Sequence, residues 1–478
     1  MARATPLPRL GSHAAALAGA LAAAGLGAGG AAAVALQPGQ LRELVAGGIA
    51  IALLTLVFVR PRTAVLATVG FLVVLAFLRR ILISAAGWSA LDPLLLVGPV
   101  VAVVLMVRLF VLESRPLAVD GLSKLVLAVL GLTILEIGNP TGGGLVTGLG
   151  GFLFLGMPLL WFFIGRELAT DALTGRLLWF LVSAGAVIAL YGILQSKTGF
   201  PSWDIDWLNV TGYSALNVGD EIKPFGTFSS SAEYSLFLGS GLAVAAAFVL
   251  RGRGPALLAL LPLAVGLFLS STRSALITAF SAIIVLVALR PRRPVIALVA
   301  AVLSIGGSYG ALKAFSGDLS RGATQSGSAL VNHQVAGLTD PLNPSSSTLL
   351  VHLQLVRQGF EEGLRNPIGS GTASTNQAGG KLGGASGPAR ATEVDLSNAF
   401  VALGLLGGLL YLAVVVVILV KAVRGYFAGH ELLLPVIGVL IVGAGQWLTG
   451  GHYALSPLTW LLIGWMAAVT TRPRSQTP

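Results

Sequence analysis

The chain has 478 residues, of which 55% are hydrophobic, 10% charged and none cysteine, with a mean hydropathy of +0.87. Soluble domains carry about 25% charged residues, so this chain has too few to cover a water-exposed globule of its size, and most of it is expected in lipid. The missing cysteines exclude a disulfide framework, a thiolate nucleophile and a Cys-ligated metal. In such a chain the net charge of +11 is first a question of which side of a bilayer holds it, not a nucleic-acid footprint.

A bilayer-crossing helix needs roughly 20 mostly apolar residues. Cutting the apolar runs at their charged, polar or Gly/Pro-rich interruptions predicts an all-α polytopic integral membrane protein with about fourteen (12–14) transmembrane helices. They fall near residues 13–36, 41–59, 63–78, 92–112, 122–138, 144–165, 176–195, 232–250, 254–270, 273–289, 295–314, 397–420, 432–449 and 453–471. The first, Ala/Gly-rich behind Arg3 and Arg9, reads as an uncleaved span, with a cleaved signal peptide as the alternative.

With both termini in the cytoplasm, 18 of the 30 Lys and Arg residues lie inside, from Arg60, Arg62 and Arg108 to Lys421, Arg424, Arg472 and Arg474. Only Glu113, Asp120, Glu167, Asp171 and Glu431 join them among the acids. Orientation alone therefore accounts for the basic excess, and a plasma or inner membrane location with cytoplasmic termini is expected. The same assignment places outside a loop at 196–231, the turn Ser270–Ser274 and a loop at 315–396. Long irregular loops are uncommon unless functional or disordered.

In chain order, the outer face carries Arg79 and Arg80, which break the positive-inside pattern, and Glu136, an ionisable group near the outer end of its span and so a functional candidate. Asp204 and Asp206 form an Asp-x-Asp pair that suits either a cation or a surface turn. Lys223 and Arg273 follow, the latter at a lipid boundary where arginine must snorkel or find an anion. Residues Thr348 to Arg365 have helical periodicity, with Leu349, Leu350, Leu353, Val356, Phe360 and Leu364 on one face. His352 lies at the edge of that stripe and is expected to be partly buried against the membrane region. Arg357 is a further cation of this helix. The glycines of Asn366-Pro367-Ile368-Gly369-Ser370-Gly371 suit either a phosphate cradle or a plain turn. Several cations against the topological bias point to a polyanionic ligand.

The order Lys223-Pro-Phe-Gly-Thr-Phe, then Ser271-Thr272-Arg273-Ser274, then Asn366-Pro-Ile-Gly-Ser-Gly, then Ser397-Asn398-Ala399-Phe400 and Leu403-Gly-Leu-Leu-Gly407 resembles the O-antigen ligase and polymerase superfamily. The resemblance spans roughly residues 223–411, under half of the chain. It implies a polytopic glycosyltransferase that moves a glycan from a polyprenyl-pyrophosphate carrier to a glycan or lipid acceptor hydroxyl on the outer face, with no metal or cofactor. Partners expected from it are that donor, that acceptor, membrane lipids and polysaccharide-assembly proteins. The resemblance implies three regions: 1–222 as N-terminal transmembrane helices, 223–411 as the ligase-like core with the loop 315–396, and 412–478 as C-terminal helices.

The family usually has arginine where Lys223 stands, keeps the arginine of Arg273, and tends to have arginine where His352 stands and a His-Asn pair where Ser397-Asn398 stands. Cations stabilise the charge that develops on a departing pyrophosphate. The expected substrate-binding residues are Arg273, Lys223, Arg79, Arg80, Arg357 and Asn398. An acceptor hydroxyl benefits from a base within reach, and His352, Asp395 and Glu393 are the candidates. Two other readings stay open: a transporter or flippase of lipid-linked glycans, and a non-catalytic partner in polysaccharide assembly, favoured by the serine at Ser397.

Overall fold

The computed structural model describes residues 38–117, 119–212, 216–343, 348–382, 392, 394–448 and 453–471. The first predicted span, at 13–36, lies outside the described residues. What is described is almost entirely helical, and the one sheet among these residues is a hairpin of β1 (Asn217–Val218) and β2 (Glu221–Ile222). By length and composition seven of the helices are able to cross a membrane, or nine when two bent pairs each count as one span. The runs near 254–270, 273–289, 432–449 and 453–471 form helices of 10–17 residues. The helix at 273–289 fills its predicted run, whereas the one in 432–449 ends at Val442, where a turn follows.

The chain divides into two compact units, residues 1–115 and 116–478, and the region boundaries expected at 222 and 411 both fall inside the second. In the first unit, α1 (Pro38–Val59) packs against α2 (Pro61–Ala86) and α3 (Leu94–Met106). Pro61 opens α2 at a position where its missing N–H costs nothing. At one end Arg42, Arg79 and Asp92 form a buried ion cluster. At the other, Glu113 pairs with Arg108 and Arg115 at 2.7 and 2.8 Å.

The second unit continues with α4 (Gly121–Leu135), α5 (Leu145–Leu155), α6 (Met157–Leu168), α7 (Asp171–Thr198), α8 (Ser202–Thr211), α9 (Ser231–Leu250), α10 (Leu257–Leu269) and α11 (Arg273–Leu289). Then come α12 (Pro294–Ala314), α13 (Ser316–Ser326), α14 (Ala329–Thr339), α15 (Leu349–Arg365), α16 (Gln377–Leu382), α17 (Asp395–Phe427), α18 (Leu433–Val442) and α19 (Leu455–Thr471). Pro158 opens α6 and bends it by 41° from α5. The core sits around α9, which packs on α7, α10, α11 and α18 and buries Tyr234, Phe237 and Phe248.

Between apolar helices in lipid, packing rather than hydrophobicity drives association, and small residues let backbones approach. The α6–α19 contact works this way: a side chain on Gly165 meets the backbone of Leu461, and one on Gly464 meets the backbone of Phe162. Charge gathers at shared ends. Asp120 pairs with Arg166 and Lys421 at 3.0 and 3.2 Å, and Glu431 with Arg251 and Arg292 at 3.2 and 3.3 Å. All six residues belong to the side that charge bias assigns as cytoplasmic.

Helix α17 is broken at Gly404, whose φ is +69°. Segment 366–371 fills the break: Ser370 and Gly371 N–H donate to the carbonyls of Val401 and Ala402, and Leu405 N–H donates to Pro367 O. Non-helical backbone in an apolar bundle must be satisfied within the protein, and this loop does so.

Helix α15 forms as the periodicity predicts, but it docks differently. Gly359 faces Thr392 and Ser397, Gly363 faces Phe400, and Phe360 meets Phe400 edge-on at 5.0 Å. Leu349, Leu350, Leu353 and Leu364 stay exposed.

Replacing Gly464 by alanine forces a methyl group into the Phe162 backbone and is expected to cost about 1–3 kcal/mol. Gly175→Ala on α7, with nothing within 4 Å, is expected to stabilise by about 0.5–1 kcal/mol. Thermal unfolding of both variants in detergent checks the pair.

Candidate functional site

Helix α10 ends at Leu269, and the turn Ser270-Ser271-Thr272 reverses the chain into α11. Ser271 takes a φ of +52°. Ser231 Oγ, at the start of the central helix α9, donates to Ser270 O at 3.0 Å and holds the turn to the core. Arg273 is the first residue of α11. A cation there opposes the helix dipole, at a cost of about 0.3–1 kcal/mol, so guanidinium and helix N-terminus focus positive potential on one spot.

Lys223 is held by an equally ordered segment. Its N–H donates to Leu216 O at 2.7 Å. Gln195 Oε1 accepts from Phe225 N–H and Gly226 N–H at 3.2 and 2.9 Å, while Gln195 Nε2 donates to Asp204 Oδ2 at 2.7 Å. Phe225 stacks on Phe200 at 5.4 Å. Gly226, at φ +53°, packs against Ile188 and Tyr234. Burial first, then the charge of Arg273, pushes the Lys223 ammonium below its usual pKa.

Helix α14 closes the site. Glu221 Oε2 accepts from Ser328 Oγ at 2.8 Å and from Leu330 N–H at 2.9 Å, so the hairpin caps the start of this helix. Ser271 Oγ reaches Leu330 O at 3.4 Å. Arg273 Nη2 lies 2.7 Å from His333 Nε2. A guanidinium only donates, so His333 Nε2 accepts and its ring is neutral, with the proton on Nδ1. Burial, then the charges of Arg273 and Lys223, hold the His333 pKa below the ordinary histidine value. One turn on, Gly337 leaves room for the guanidinium; any side chain there collides with Arg273.

The structure thus brings together Lys223 and Arg273, as the sequence suggests, and adds His333, which sequence reasoning missed. Nothing local distinguishes His333: its segment lacks the long amphipathic pattern that draws attention to His352, and its role comes from a contact across 60 residues. The signal available was its place in the loop expected outside, with a glycine four residues on.

The other candidates stand elsewhere. His352 is exposed, with Nε2 2.9 Å from Thr348 Oγ1; its expected partial burial is corrected, because α15 docks through Gly359, Phe360 and Gly363 instead of its leucine stripe. Arg357 is exposed and pairs with Glu361 on the same helix at 2.7 Å. Asp395 is buried, and its Oδ2 accepts from Tyr411 Oη at 3.1 Å and Leu448 N–H at 2.7 Å, which spends it on tying α17 to the turn after α18. Asn398 Oδ1 accepts from Thr392 N–H and Oγ1 at 2.7 and 2.9 Å. Glu393 lies outside the described residues.

In the first unit, Arg79 bonds Asp92 at 3.1 Å and stacks over Trp88 at 5.2 Å. The buried Arg80 guanidinium sits over Phe77 at 5.4 Å. Their place against the charge bias therefore has an internal cause. Glu136 and Gly369 O both take hydrogen bonds from Asn139 Nδ2, at 2.6 and 3.1 Å, which makes that acid part of the seat of the 366–371 loop. The Ser370 and Gly371 N–H groups go to α17 and that of Gly369 to Asn366 O, which fits a structural turn and not a phosphate cradle. Asp204 accepts from Tyr191 and Gln195 and is buried, so the Asp-x-Asp pair is not an open cation site. Among the described residues no group of three His, Cys, Asp or Glu is able to hold a metal.

No protein-family model, curated protein or solved structure matches this chain.

A histidine with a lowered folded pKa binds fewer protons when folded. Its contribution to stability is therefore intact above its unfolded value and declines as pH falls below it. The thermal midpoint is expected to fall between about pH 7.5 and about pH 5 by a larger margin in the wild type than in His333→Asn. Equal losses in the two proteins, read by thermal unfolding, contradict the assignment.

Proposed function

We propose that this protein is a polytopic membrane glycosyltransferase that moves a glycan from a polyprenyl-diphosphate carrier to an acceptor hydroxyl on the outer face. The observation that carries this reading is the convergence of Lys223, Arg273 and the N-terminus of α11 on one spot at the end of an apolar bundle, with a neutral histidine beside them. In this reading the chain has about fourteen spans, and the end bearing Asp120, Arg166, Lys421, Arg251, Arg292 and Glu431 faces the cytoplasm.

The chemistry follows from the parts. The bond between the anomeric carbon and the diphosphate oxygen breaks, and its electron pair leaves with the carrier. The acceptor oxygen forms the new glycosidic bond and gives up its proton. Arg273 chelates the leaving diphosphate through its planar fork, and Lys223 adds a point charge. Preorganised in a poorly hydrated site, such cations favour the charge that develops as the bond breaks.

Once the diphosphate takes the guanidinium, His333 Nε2 is released from Arg273. A neutral imidazole beside the reacting centre then accepts the acceptor proton. His333 replaces His352 and Asp395 as the base in this account.

Arg273→Ala is expected to lower transfer by about 100- to 1,000-fold in proteoliposomes supplied with lipid-linked glycan, while the variant still inserts and folds. Near-normal transfer by that variant removes the reading. Movement of the lipid across the bilayer without a new glycosidic bond indicates a flippase, and neither activity indicates an assembly partner.

The absence of cysteine makes sidedness testable with single substitutions. Ser320→Cys is expected to react with an impermeant maleimide on intact cells, and Ala428→Cys only after permeabilisation; the reverse pattern inverts the topology.

A further inference from the structure

The face of α14 that meets the Arg273 turn carries Leu330, His333, Gln334 and Gly337. At 3.6 residues per turn these four positions fall within an arc of about 100°. Three of them have evident partners: Leu330 O takes the Ser271 hydroxyl, His333 takes Arg273, and Gly337 makes room for the guanidinium. Gln334 stands one turn on from Leu330, between Leu330 and Gly337 along the helix and at the opposite edge of this arc from His333, and is fully buried. Neither its Nε2 nor its Oε1 makes a hydrogen bond to any described residue.

A buried amide with both ends unmet is costly, whereas an apolar side chain of similar shape at such a place is neutral or stabilising. Packing therefore does not explain a glutamine here. The chemistry of the amide narrows what meets it: one end donates two hydrogens and the other only accepts. A diphosphate offers acceptors alone and satisfies only Nε2. Hydroxyl groups both donate and accept, and a sugar presents them in adjacent pairs.

Resting on the reading of Arg273 and Lys223 as the diphosphate site, we infer that Gln334 is a sugar-reading residue that hydrogen-bonds hydroxyls of the ring attached to the diphosphate. Access follows from the same contacts. Helix α14 is seated on the turn by the Arg273–His333 hydrogen bond and the long Ser271–Leu330 contact. A diphosphate competes for Arg273, so its arrival loosens α14 and opens the face on which Gln334 stands. Sugar recognition is thereby coupled to carrier recognition.

The test is Gln334→Leu, near in volume and lacking both polar ends. Binding of farnesyl diphosphate, and of a panel of farnesyl-diphosphate-linked monosaccharides, is measured on purified full-length wild type and variant. At least one sugar-bearing lipid is expected to bind the wild type about tenfold more tightly than farnesyl diphosphate, as one or two well-placed hydrogen bonds allow. The variant is expected to lose that advantage, to keep its farnesyl diphosphate affinity and to unfold at the same or a higher temperature. Retention of the sugar advantage by the variant overturns the inference and leaves the diphosphate site standing, as does a panel with no sugar advantage in the wild type. A marked drop in thermal stability also overturns it, because it shows that the amide has a partner in the protein. Failure of the wild type to bind farnesyl diphosphate at all overturns both the inference and the functional reading beneath it.

Discussion

A guanidinium at the head of an apolar helix needs polar company, and the seating of Arg273 against α14 is how this protein supplies it. Much of the surrounding structure serves that contact. Ser231 pins the turn to the central helix, the 217–222 hairpin caps α14 through Glu221, and Gln195 fixes the segment that carries Lys223. Gly337 is the sterically necessary complement, since any side chain there displaces the guanidinium. The partner chosen for Arg273 is a neutral histidine, which satisfies a donor without cancelling the positive charge.

The same demand for internal satisfaction explains the glycine-rich segments. Breaking α17 at Gly404 exposes backbone groups that lipid does not solvate. The 366–371 loop pairs with the carbonyls of Val401 and Ala402, while Asn139 and Thr372 fasten it to the α4–α5 region. These glycines allow one backbone to lie against another. In the first unit, Asp92 plays the matching role for charge by accepting from Arg42 and Arg79.

Composition and periodicity made the helical membrane architecture legible, and the order of Lys223 and Arg273 along the chain made the cationic pair legible. The span count was less so: length alone does not reveal that the turn after Val442 cuts the 432–449 run short. The site was half visible. His352 lies on a clear amphipathic helix and drew attention that His333, the histidine that meets Arg273, did not, because periodicity shows that a helix has two faces but not which face docks. Phe360 and two glycines, Gly359 and Gly363, decided the docking of α15, and a glycine stripe carries no hydrophobic signal. Asp395 looked available as a lone acid at the mouth of a span; only the fold shows Tyr411 and the backbone of Leu448 closing on it.

The central claim is that Arg273, Lys223 and α14 form the receptor for a diphosphate headgroup. A cryo-EM structure of the protein in nanodiscs with a polyprenyl diphosphate bound tests it most directly. The account predicts phosphate oxygens within hydrogen-bonding distance of the Arg273 guanidinium and the Lys223 ammonium, with His333 Nε2 parted from Arg273. Phosphates seated elsewhere, for example at the Arg42–Arg79 cluster of the first unit, with the Arg273–His333 contact intact, contradict it.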